Sequence, residues 1–149
     1  MKIRADEHVT FRLVHAIKSL NLKQTLELSH VRDDHPARTT DETWLPAFAQ
    51  DGGKAILSGD AAMLKRPHQI MAIEATGLVC FILSKQWCQA RLHEKVANIL
   101  WQWPKIEVAL LNARPGDCFP VPFAFNDDAL EQKKINYEAA RKANVRAKP

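Results

Sequence analysis

Lys54-Ala55-Ile56-Leu57-Ser58-Gly59-Asp60 is the stretch on which the fold turns. Ala55, Ile56 and Leu57 form a short apolar run, preceded by Gly52-Gly53 and closed by a serine, a glycine and an acid. An apolar run this short, unbroken rather than alternating, reads as a strand buried on both faces of a parallel sheet. Its closing acid matters most. In open parallel sheets ligands bind beyond the carboxyl ends of the strands, so Asp60 is placed where such folds do their chemistry.

The rest of the chain supports that strand on both sides. Upstream, Thr40 precedes Asp41-Glu42-Thr43 and the apolar Trp44, Leu45, Ala47, Phe48 and Ala49, a helix start with acids in the first turn, where the helix dipole favours them. Arg32 to Thr40 is a polar loop, and Leu26 to Val31 alternates as a second strand. Val9, Leu13, Ala16, Ile17 and Leu20 recur with the spacing of an amphipathic helix. Lys2 to Asp6 then reads as the first strand, and it too ends on an acid. Downstream, a short helix around His68 to Ala75 leads to a strand from Leu78 to Leu83. Gln86 to Ala113 is a longer helical region that Pro104 should split or kink. Cys118 to Phe125, with Pro120 and Pro122, fits only an edge strand or extended segment.

Strands alternating with helices predict an α/β fold: a three-layer α/β/α sandwich around a mainly parallel sheet of four to five strands. Right-handed crossovers put every strand's carboxyl end on one rim. Asp6 and Asp60 share that rim, and the helix opened by Asp41 starts from the same side.

Composition narrows the class. The chain has 149 residues, 46% hydrophobic and 26% charged, which suits one globular domain and excludes a long multidomain enzyme. Neither a membrane-spanning stretch nor an apolar leader is visible, so the expected setting is soluble and cytoplasmic. Cys80, Cys88 and Cys118 match no zinc or redox spacing and are expected to be buried thiols. Trp87, Trp101 and Trp103 belong to the long helical region as core or partner surface. The charge is uneven: residues from Lys133 onward carry +5 and all others together −1. The expected organisation is a domain over residues 1–125 and a basic tail over 126–149, helical or disordered, able to attract nucleic acid or acidic partners.

Carboxylates gathered at one rim repel each other, and a divalent cation removes the conflict. Mg²⁺ or Mn²⁺ takes hard oxygen ligands and can assist attack on a phosphodiester. Asp6, Asp41 and Asp60 are therefore the candidate ligands and catalytic acids, with Glu7 and Glu42 as neighbouring alternatives. The plainer reading makes each acid a helix cap. Asp33 and Asp34 read as loop-structuring residues. Arg32, Lys65 and Arg66 are candidates for holding substrate phosphates, and His8, beside the acidic pair, for a proton transfer.

Four blocks carry a family likeness: Lys2-Ile3-Arg4-Ala5-Asp6-Glu7-His8, Leu28-Ser29-His30-Val31-Arg32-Asp33, Thr40-Asp41-Glu42-Thr43-Trp44, and Lys54 to Asp60. In order and spacing they resemble the short PIN-like domains, relatives of the VapC-type toxin ribonucleases, over about residues 2 to 84. The resemblance implies a metal-dependent endoribonuclease that uses Mg²⁺ or Mn²⁺ and acts on RNA, commonly the toxin of a toxin-antitoxin pair. An antitoxin protein or a second copy of the chain is the partner it implies. By position Asp6, Asp41 and Asp60 match the family's acids, and Ser58 its hydroxyl position before the last of them. The chain departs from the pattern at His8, where the short subfamily has Asn, and at Ala61-Ala62-Met63-Leu64, where it has a further Asp and a Phe.

Two other readings use the same residues. A receiver-like phosphoacceptor switch would use Asp6-Glu7 as its acidic pair and Asp60 as acceptor, with Ser84 and Lys85 imitating its hydroxyl and lysine. A degenerate PIN-like fold would only bind RNA or a partner.

Overall fold

The computed structural model describes residues 1–20 and 25–147 of the chain. Its strands are β1 (Lys2–Ala5), β2 (Glu27–His30), β3 (Gly53–Ser58), β4 (Val79–Leu83) and β5 (Cys118–Val121), arranged β2-β1-β3-β4-β5 with every neighbouring pair parallel. The helices are α1 (Phe11–Ser19), α2 (Asp41–Gln50), α3 (Pro67–Thr76), α4 (Gln86–Gln89), α5 (Leu92–Asn112) and α6 (Tyr137–Ala147). Two short 3-10 turns, Val31–Asp33 and Met63–Lys65, follow β2 and precede α3.

Strand alternation sorts the core into the two packed layers of a sandwich. Ala55 and Leu57 of β3 with Val79, Phe81 and Leu83 of β4 face α1 and α5, where Leu13, Ile17, Ile99, Trp103 and Ile106 meet them. Ile56, Cys80 and Ile82 point the other way, onto Trp44, Leu45 and Phe48 of α2 and Ile73 of α3. Both faces are therefore dry, which is why these strands read as unbroken apolar runs. Even Arg4 of β1 is only 7% exposed. Its guanidinium lies 4.6 Å from the centroid of the Phe48 ring and pairs with Asp34 at 2.5 Å, so Asp34 ties the loop after β2 to the neighbouring strand β1.

Two sequence expectations need correction, and one alternative reading falls with them. The long helical region breaks at Ala90 and Arg91, both extended (ψ 148° and 159°), and α5 runs unbroken through Pro104. Pro104 sits on the exposed side of α5, so the carbonyl it leaves without an amide partner can turn to water. Buried Ile99, Trp103, Ile106 and Leu110 hold both halves of the helix to the sheet. Cys88 is exposed; only Cys80 and Cys118 are buried, and burial raises both thiols, Cys118 to about 11. Asp6 caps no helix either, because Thr10 is the N-cap of α1.

The basic segment after Asn126 lies against the body. The Lys133 amide donates to the Cys118 carbonyl at 2.8 Å, extending the β5 edge by one antiparallel bridge. Ile135 packs on the layer built from α2 and α3. The Tyr137 hydroxyl donates to the Gly116 carbonyl, Ala140 is buried, and Arg141 pairs with Glu74 of α3 at 3.1 Å. Lys148 falls outside the described residues. Among the described residues no helix is long and apolar enough to cross a membrane.

Candidate functional site

The strand order reverses between β1 and β3, and a doubly wound sheet opens a crevice at that switch point, beyond the strands' carboxyl ends. Asp6 follows β1 directly, and Ser58-Gly59-Asp60 closes β3. The site is set by topology.

Asp6 is the deepest of the acids, 6% exposed. Its Oδ1 accepts the amides of His8 at 3.0 Å and Gly59 at 3.2 Å, and its Oδ2 accepts the Ser58 hydroxyl. Burial raises the Asp6 carboxyl above its ordinary value against the lowering pull of those hydrogen bonds, and the charge of Asp41 adds a smaller push upward. Ser58 serves both neighbours, since its Oγ also accepts the Asp60 amide at 3.1 Å.

Asp41 opens α2, as its place after Thr40 led us to expect, and both its oxygens are engaged. Trp44 Nε1 donates to Oδ1 at 3.0 Å and the Gln69 amide donates to Oδ2. Asp60 accepts the Ala62 amide on Oδ1 at 3.0 Å, while Oδ2 receives Arg66 Nη1 at 2.6 Å with His8 Nε2 at 3.7 Å. Every carboxylate oxygen of the three acids thus already accepts a hydrogen bond, which fixes where its remaining lone pairs point.

Asp6, Glu7, Asp41 and Glu42 line one pocket of about 260 Å³ together with His8, Thr40, Trp44 and Gln69. Asp60 stands beside it, joined through Ser58 and through Arg66. Larger hollows of about 510 and 670 Å³ lie elsewhere, around residues 126–132, and none of the three acids lines either. Glu7 accepts the Arg38 amide at 2.6 Å, and Glu42 sits 3.7 Å from His68 Nε2, both in exposed settings. Asp33 caps the turn after β2 by accepting the His30 amide at 2.9 Å. Arg32 and Lys65 are exposed and line none of this pocket. Among the described residues no three His, Cys, Asp or Glu side chains stand close enough together, as placed here, to grip one metal ion.

Trp44 and Gln69 are the site residues that sequence reasoning passed over. Gln69 carried a signal: it lies four residues before the buried Ile73, a core-facing position, yet it is polar. Trp44 carried none, since a buried indole reads as core until its N–H is seen to find an acid.

Gly59 is a tight point of the crevice. A Cβ there would stand 2.6 Å from the His8 carbonyl oxygen, which is backbone and cannot swing away. Gly59→Ala is expected to cost about 1–3 kcal/mol and to push the His8 amide off Asp6; a urea melt of the variant checks the first, and an unchanged midpoint would show that the loop yields.

Neither a curated protein nor a solved structure matches the chain significantly. Residues 1–85 match the family described as PIN like domain, a span that runs from β1 through β4 and contains all three acids. Segments outside it contribute β5, which ends at Val121 and continues into Pro122-Phe123 without the lysine a receiver needs there. With more than half of its length matched, and with its acids at the switch point of a parallel sheet, the chain belongs to the PIN-like domain family.

Proposed function

We propose that this PIN-like domain is a ribonuclease dependent on Mg²⁺ or Mn²⁺, with Asp6, Asp41 and Asp60 as its cation-binding acids. The observation that supports the reading is the placement of these acids, from distant parts of the sequence, around the β1/β3 crevice, with Asp6 and Asp41 lining its pocket and Asp60 beside it. Their donor set suits the cation, since hard carboxylate oxygens favour Mg²⁺ or Mn²⁺, and a buried Asp6 near Asp41 gains from added positive charge. When bound, the ion supplies charge neutralisation at the scissile phosphate and a more acidic water. The protein's own part is positioning. Ser58 and the Gly59 amide hold Asp6, Trp44 and Gln69 hold Asp41, and the Ala62 amide holds Asp60. Arg66, already bonded to Asp60, is the basic residue best placed to contact a substrate phosphate, with Arg32 and Lys65 as more distant phosphate contacts.

An antitoxin as partner follows from the family likeness, and a small open reading frame beside the gene would favour it; the cytoplasmic setting expected from the sequence suits that reading. The absence of the family's further acid at Ala62-Met63 favours a second reading, a fold that binds RNA without cutting it. Incubation with single-stranded RNA separates the two. Metal-dependent loss of full-length RNA that stops in EDTA is expected; cleavage that survives chelation would sink the mechanism, and binding without cleavage at any metal concentration would promote the second reading.

A further inference from the structure

The acids of the crevice are not open to a cation as they stand. Arg66 Nη1 sits on Asp60 Oδ2 at 2.6 Å and reaches Gln69 Oε1 at 3.1 Å, and the Gln69 amide donates to Asp41 Oδ2. A chain of carboxylate, guanidinium, amide and carboxylate therefore spans the gap between two of the three acids. Its members differ in freedom. Gln69 is buried on α3, whereas Arg66 lies in the extended link before α3 with its side chain 46% exposed, and can swing into water without disturbing the core.

A guanidinium and a divalent cation seek the same oxygen. Arg66 brings a single positive charge through N–H donors, and the ion brings two through direct coordination, so both cannot hold Asp60 Oδ2 in full. We propose that Arg66 is a built-in counter-ion of the acidic crevice, braced by Gln69, which a divalent cation displaces from Asp60 on binding. The inference rests on the cation reading above and adds a competitor to it. Without metal, Arg66 gives one of the three carboxylates, Asp60, a counter-charge from within the protein. Displacement leaves the guanidinium at the mouth of the crevice, free to meet a phosphate.

The test reads metal binding alone, with no RNA present. Mn²⁺ is titrated into wild type and Arg66→Ala, and free Mn²⁺ is followed by electron paramagnetic resonance; Arg66→Ala should bind about two- to fivefold tighter, the factor expected from losing one half-exposed ion pair. Arg66→Lys, which keeps the charge but not the planar fork shared with Gln69, should fall between them. Circular dichroism confirms that both variants are folded. Equal or weaker binding by Arg66→Ala overturns the proposal and leaves the metal site standing. If neither wild type nor Arg66→Ala binds Mn²⁺, the cation reading falls and this proposal with it.

Discussion

Asp6→Asn is expected to lower RNA cleavage by at least about 100-fold, the scale of losing one preorganised charge-stabilising group, while the protein stays folded. Asparagine nearly matches the shape of Asp6: its oxygen keeps the His8 and Gly59 amides, and its amide can donate to the Ser58 oxygen. Stability should then respond to pH in a definite direction. Burial holds the Asp6 carboxyl above its ordinary value of 3.8, so around and just above that value the native protein binds a proton that the unfolded chain releases. Wild-type stability therefore falls as pH rises through this window, and the full cost is present above the raised value. In chelator, Asp6→Asn should match wild type in acid and melt above it at neutral pH. A variant that melts below wild type at neutral pH would show that Asp6 serves the fold through its hydrogen bonds rather than waiting for a cation. Asp41→Asn and Asp60→Asn should lose cleavage as well, but Asp60→Asn also leaves Arg66 without its ion pair and should gain nothing in chelator.

The second large effect concerns the basic segment. Ending the chain after Gln132 should cost about 3–5 kcal/mol, from two hydrogen bonds at about 1 kcal/mol each and the apolar contacts of Ile135 and Ala140. For a domain whose whole stability is of order 5–15 kcal/mol, that is a large share. A urea melt checks it, and an unchanged midpoint would make the segment dispensable to the fold. Lost RNA affinity in the truncated protein would thus be ambiguous. Lys133→Glu with Lys134→Glu resolves it by keeping α6, and if both lysines touch phosphates the slope of log affinity against log salt should shrink by about 1.4.

Strand and helix order were legible because the parallel sheet is buried on both faces, and burial of that kind writes unbroken apolar runs such as Ala55 to Leu57. The acids were legible for a related reason: a strand that ends on Asp6 or on Ser58-Gly59-Asp60 announces the rim of the sheet. The helix break at Ala90 and Arg91 was not, since neither residue is a glycine or proline and only tertiary packing turns the chain there. Pro104 misled in the opposite sense, because a break costing about 3 kcal/mol is outweighed by the four large apolar side chains on the buried face. The partners of the acids were hidden for a third reason. Gln69 follows Asp41 by more than twenty positions and Arg66 lies a loop away from Asp60, and a side chain's hydrogen-bond partner leaves no periodic trace.

The docking of α6 on α3 also sets an order of assembly. Every acid of the crevice lies within residues 1–85, all of which are synthesised before Lys133 to Ala147. Until then Leu64, Pro67 and Ile70, which line the groove under the later segment, face water. The half of the protein that holds the three acids is therefore made uncovered on one side, and its α3 face is closed only when a segment from outside the family-matched span arrives.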